Sequence, residues 1–167
     1  MPDGHSSYPV RPDFHAWRSS AADRRCRARI SRRTRTCLFG PPQTFPAGQV
    51  CPFQVTLTAI EDDLVQTTLT RNTVLITGPL VLEVTNDETG ESVIRDVSGP
   101  ATITQTGETS ITVLLGPSLV ILFEGEDATG EVGAPGLFFQ PRGVLVLRGF
   151  TVIRAVGPTE NLCETLA

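Results

Sequence analysis

Residues 101–123 read ATITQTGETSITVLLGPSLVILF. Three short runs, Ala101–Thr106, Ser110–Leu115 and Ser118–Phe123, are parted by Thr106-Gly-Glu108 and Gly116-Pro117. Runs of this length rich in Thr, Val, Ile and Leu, bounded by Gly and Pro, read as strands rather than helices. Successive side chains of a strand point to opposite faces, so Thr102, Thr104 and Thr106 share one side. Ser118–Phe123 is apolar on both sides. It should therefore be one of the most buried strands, together with Val144–Leu147.

The same rhythm extends outward over residues 41–167. In Phe53–Ala59, Phe53, Val55 and Leu57 alternate with Gln54, Thr56 and Thr58. Val65, Thr67 and Leu69 follow the acidic turn Glu61-Asp-Asp63, and Thr73–Thr77 ends at Gly78-Pro79. Leu80, Leu82 and Val84 form one face of the next strand, which returns through Asn86–Gly90 into Ser92–Val97. A Gly-rich acidic loop spans Gly125–Gly136 before the final pair, Gly143–Arg148 and Phe150–Val156. No stretch of ten or more residues shows a 3.6-residue period, so no long helix is expected. The fold class is all-β. About eight to ten strands in an antiparallel meander would close as a small barrel, with a β-sandwich as the alternative, because an open meander exposes its edges.

Charge and composition divide the chain at Gly40. All 14 basic residues are Arg, and nine of them lie in residues 1–40 against three Asp, giving that stretch about +6. Residues 41–167 hold five Arg against 15 Asp and Glu, about -10. Residues 1–40 lack an apolar run and should be disordered, because too little surface can be buried to offset the ordering entropy. Residues 41–48, PPQTFPAG, read as a linker to a domain over 49–167.

The residue set of the domain argues against catalysis. Ser92, Ser98, Ser110 and Ser118 have no His or Lys in residues 41–167 to activate them, and no Gly-x-Ser-x-Gly elbow occurs. The carboxylate clusters at Glu61–Asp63, Asp87–Glu91 and Glu124–Glu131 sit at turns, where solvated charge is the ordinary role, and no Trp or Tyr offers a sugar platform. Glu124, Glu126, Asp127 and Glu131 are the best oxygen ligands for Ca²⁺, but their spacing does not match the calcium-loop pattern. His5, His15, Cys26 and Cys37 lack zinc-ligand spacing. The run Arg24–Arg35 would bind nucleic acid or anionic lipid through charge alone, without sequence specificity. No cofactor and no transmembrane segment are indicated. Phe53, Phe123, Phe138, Phe139 and Phe150 would line a barrel cavity or fill a core equally well. Adjacent Phe138 and Phe139 must face opposite ways, so one is expected to point outward as an apolar spot or pocket lid.

Cys51 and Cys163 lie at the two boundaries of the domain, close enough if the chain ends meet, either as a disulfide or as two buried free thiols. A secretion signal needs an apolar core of about 7–15 residues, which residues 1–40 do not supply. Either the chain is cytoplasmic, or residues 1–40 reflect a misassigned start that displaced the signal. The abrupt change of composition at Gly40 favours the second.

Cys51-Pro-Phe53, Thr85-Asn-Asp-Glu-Thr-Gly90 and Cys163-Glu-Thr-Leu-Ala167 together resemble a family of small exported actinobacterial β-proteins. Members start with Cys-Pro-Phe and end with Cys-x-x-Leu-Ala. The resemblance implies a secreted β-protein whose terminal cysteines pair, and it carries no catalytic residues. The expected function is a non-catalytic secreted or cell-surface structural or interaction module with a protein partner. The alternative is a carrier holding a small hydrophobic ligand in a barrel cavity.

Overall fold

The computed structural model describes residues 39–167 and the backbone of Arg29–Ile30 and Arg33–Arg35. The expectations placed on residues 1–28, and on Cys37, lie outside the described residues. Strands follow the alternation of β-branched and polar side chains. Two short ones, β1 (Arg29–Ile30) and β2 (Arg33–Arg35), lie within the arginine-rich segment. A third, β3 (Gln43–Phe45), occupies the expected linker. It pairs with β4 (Val55–Asp62), Phe45 opposite Val55, and Phe45 packs against the core, which explains why this Pro-flanked stretch is ordered. Next come β5 (Val65–Thr68), β6 (Thr73–Thr77), β7 (Leu80–Asn86), β8 (Ser92–Asp96), β9 (Ala101–Thr106) and β10 (Thr109–Leu115). The chain ends with β11 (Ser118–Leu122), β12 (Gly136–Gln140), β13 (Val144–Arg148), β14 (Thr151–Val156), β15 (Glu160–Asn161) and one helical turn, α1 (Leu162–Thr165).

Three antiparallel sheets result. The large sheet runs β1-β2-β5-β6-β9-β10-β13-β14, a four-stranded sheet runs β3-β4-β7-β8, and a small sheet runs β11-β12-β15. The end strands β1 and β14 do not pair, so the closed barrel expected from sequence is not found among the described strands. The expected single meander is corrected as well. Hairpins join β5 to β6, β7 to β8, β9 to β10 and β13 to β14. At Gly78-Pro79, Gly99-Pro100, Gly116-Pro117 and Gly157-Pro158 the chain instead leaves one sheet for another. Proline explains the difference. It cannot adopt the positive φ that a type I′ hairpin needs at its second central residue, and it has no N–H for the ladder.

These corners nest backbone against backbone. Leu115 N donates to Pro100 O at 3.0 Å and Gly99 N to Pro117 O at 2.9 Å. A Cβ on Gly99 would collide with the carbonyl oxygens of both Leu115 and Pro117, which no side-chain rotation relieves. Gly99→Ala should therefore destabilise by about 1–3 kcal/mol, as overpacking does. A denaturant titration giving an unchanged midpoint would show the corner to be looser than described.

The small sheet is a middle layer. Its Val120, Leu122 and Phe138 pack with Leu145 and Val152 of the large sheet. Its Leu137, Leu119, Ile121 and Phe139 pack instead toward Val55, Leu57 and Val84 of the four-stranded sheet. At its edge Ile76 of the large sheet packs with Leu80 and Leu82 of the four-stranded sheet and Leu64 of the β4–β5 turn, with Leu119 and Phe139 of the small sheet against the same cluster. The arrangement is a wedge whose mouth is filled by β11 and β12. This accounts for Ser118–Phe123 being apolar on both faces. Val144–Leu147 differs from expectation. Leu145 is fully buried and Leu147 half-buried against the core, while Val144 and Val146 are half-buried on the opposite side of the strand.

Cys51 and Cys163 form a disulfide with Cα atoms 5.3 Å apart and a sequence separation of 112. α1 brings Cys163 to it. Asn161 caps the turn, its Oδ1 accepting from Cys163 N at 3.0 Å. Buried Asn86 anchors the same end, donating from Nδ2 to Leu166 O at 2.9 Å.

Candidate interaction surface

Strand register decides which side chains of the large sheet face away from the core. In β10, Leu114 packs inward, so Ile111, Val113 and Leu115 face outward. Their cross-strand partners extend this face. Val113 pairs with Thr102 and Val146, and Leu115 with Val144, which in turn pairs with Val156. On the other flank Leu75 opposes Thr102 and Thr67, and Thr73 opposes Thr104 with hydroxyls 3.3 Å apart. Leu115, Ile153 and Val156 are exposed, and Leu75, Ile111, Val113, Val144 and Val146 are half-buried.

The face is also distinctive in charge. β5, β6, β9, β10, β13 and β14 contain no Asp or Glu, although residues 41–167 hold 15. Their only charged residues are Arg148 and Arg154, both exposed. Depletion of charge beside aliphatic side chains is the composition found at the cores of protein interfaces. The alternation Ile111-x-Val113-x-Leu115 was legible in sequence as a second apolar face. Alternation alone does not say which way that face turns.

The phenylalanines lie elsewhere than expected. Phe138 is 4% exposed and Phe139 half-buried, because β12 is covered on both sides. Neither points outward, which corrects the expectation of an apolar spot or lid. Gly136 permits this, since a Cβ there would strike the Phe138 ring. Phe123 is half-buried against the four-stranded sheet's core, and Phe150 is exposed at the β13–β14 hairpin, away from the other three. Arg95 lies over the Phe139 ring, 5.6 Å from its centre, and forms a two-pronged bond to Glu160 at 2.9 and 2.5 Å. Its hydrogen bonds hold Glu160 below the usual carboxylate range, against the opposing effect of burial, with Thr165 assisting.

The acidic loop is built around one carboxylate. Asp127 Oδ1 accepts from Thr129 N, Thr129 Oγ1 and Gly130 N, and Oδ2 from Val132 N and Gly133 N, at 2.6–3.2 Å. Glu126 instead accepts from Phe123 N at 3.0 Å, while Glu124 and Glu131 are exposed. Among the described residues no three His, Cys, Asp or Glu converge as a metal site, so the four candidate ligands are not brought together. The loop also shields the edge of the large sheet, with Ala128 N and Glu126 O bonding Val152. Burial opposes charge on Asp127, but the Thr129 hydroxyl and the loop amides outweigh it and lower its pKa.

A carboxylate lowered in the folded state stabilises above its unfolded pKa, and that contribution is lost as pH falls through the folded value. Asp127 and Glu160 both act in this sense. Stability should hold from neutral pH to about 4 and fall below it. Asp127→Asn should lower the melting temperature at pH 7 and flatten its decline toward pH 3. An equally steep decline in the variant would remove Asp127 from the account.

Compared with known proteins, the chain matches no family model, no curated protein and no solved structure.

Proposed function

We propose that the protein is a non-catalytic, secreted or cell-surface β-module that works by binding through the outer face of its large sheet. The observation that carries this reading is the carboxylate-free Leu75–Val113–Val146 face in an otherwise acidic domain. The Cys51–Cys163 bridge is compatible with an oxidising compartment, and the resemblance to exported actinobacterial β-proteins points the same way. Absence of His and Lys from residues 41–167 supports a binding role over acid–base or nucleophilic catalysis. Filling of the wedge by β11 and β12 favours an interaction module over a carrier, which needs an enclosed apolar cavity.

Native mass spectrometry of the chain purified from its source tests the choice. The reading expects the polypeptide mass less two hydrogens for the bridge, with no stoichiometric adduct. A one-to-one small-molecule adduct that survives desalting would overturn it in favour of the carrier.

A further inference from the structure

We infer that the partner of the large sheet's outer face is a second copy of this chain, docked head to tail through its four-stranded sheet. The inference rests on the preceding reading of that face as a binding surface. The outer faces of the two sheets are complementary. The large sheet offers Arg148 and Arg154 beside Ile111, Val113, Leu115, Val144 and Val146, with no carboxylate in its six main strands. In the four-stranded sheet, Leu80, Leu82 and Val84 alternate inward, so Val81 and Glu83 face outward. Cross-strand pairing places Ile94 beside Glu83 and Asp96 beside Val81. Ile94 is 56% exposed, giving this acidic face an apolar spot of its own along the β8 edge.

The arginine of that sheet, Arg95, turns the other way, onto Glu160 and Phe139, and so does not neutralise the acidic face. The β7–β8 hairpin adds Asp87, Glu88 and Glu91 at its rim. Pairing two large-sheet faces would leave Arg148 and Arg154 opposite strands without carboxylates, with Glu108 of the β9–β10 hairpin the acidic residue at their rim. Pairing unlike faces supplies Glu83 and Asp96 to them and buries Ile94 against the aliphatic band.

Size sets the strength. Four strands about 4.8 Å apart and roughly five residues long present a flat area of about 19 by 17 Å, or ~320 Å² in projection. That falls among weak, concentration-dependent contacts. Because the two faces lie on different sides of the molecule, the contact is heterologous. Each copy keeps one unused face of each kind, and association continues past two into short chains or a ring.

Sedimentation velocity of the oxidised full chain, from micromolar to about millimolar concentration, reads this directly. The expected result is a sedimentation coefficient that keeps rising past the dimer and drops at high salt. Arg148→Glu/Arg154→Glu and Glu83→Arg/Asp96→Arg should each weaken association about ten-fold or more. An equimolar mixture of the two should recover it, since each then meets an opposite charge. Val113→Lys, whose folding is checked by its melting curve, should abolish it. A monomer at every concentration overturns the inference, as does a closed dimer indifferent to Glu83 and Asp96. Either result leaves the mass-spectrometric test of the binding-module reading standing, so the two failures are distinguishable.

Discussion

Phe138→Ala should destabilise the protein by about 3–5 kcal/mol, the range for removing a buried aromatic side chain. Phe138 is 4% exposed and packs with Val120, Leu122, Leu145 and Val152 between the small and large sheets. Gly133 and Gly136, which line the ring, carry no side chain that could swing into the space left behind. The paired control is Phe150→Ala, at a position 59% exposed, where surface substitutions ordinarily stay within about 0.5 kcal/mol. Chemical denaturation of the two variants separates them cleanly. A loss below about 1 kcal/mol for Phe138→Ala would mean that its ring is not packed between the two sheets.

Removing the disulfide should have an effect of the same size by a different route. Cys51→Ala/Cys163→Ala opens a loop of 112 residues, and the chain-entropy model assigns such a loop about 4–5 kcal/mol. Both cysteines are buried, at 2% and 6% exposure, in one cluster with Phe53, Leu162 and Leu166. The bridge therefore ties the entry to β4 onto the C-terminal turn. Because native domains are stable by only about 5–15 kcal/mol, the reduced protein should be close to unfolding at 37 °C. The check is the denaturant midpoint with and without reductant. A shift of less than about 1 kcal/mol would show that packing of the chain ends, rather than the bridge, holds them together.

Much of the architecture was readable from residues alone because β-strands announce themselves by alternation. Phe53–Ala59, Leu80–Val84 and Ser92–Val97 all fall in or beside strands, and Asn86–Gly90 is the hairpin its composition suggested, with Asn86 Oδ1 accepting from Glu88 N. The terminal cysteines were also legible, since their positions at the domain boundaries left few other partners. What alternation cannot say is which strands neighbour each other. Gly116-Pro117 and Gly107-Glu108 both read as turns, yet the second closes a hairpin and the first sends the chain into another sheet. Proline marks four of these sheet changes, whereas β4 passes to β5 through Asp63-Leu64 without one. The small sheet was half visible. A strand apolar on both faces must be covered on both sides, which a meander closed as a barrel does not provide, so Ser118–Phe123 already argued for a middle layer.

The candidate surface was harder to find, for a physical reason. Ile111, Val113 and Leu115 look like core residues, and so do Leu114 and Leu145, which are core residues. Only the register between β10 and β13 shows which set turns outward. The calcium candidates failed on the opposite ground. Asp127 is saturated by hydrogen bonds from its own loop, a use of a carboxylate that spacing in the sequence does not reveal.

Each functional statement depends on the middle layer. If β11 and β12 fill the wedge, the interior has no room for a ligand and the working surface lies outside. Amide hydrogen exchange of the oxidised protein measures this most directly. Amides of residues 136–140, in the central strand of the small sheet, should exchange last, only through global unfolding, while the edge strands β3 and β8 exchange earlier. Exchange of 136–140 ahead of those edge strands would contradict the filled wedge.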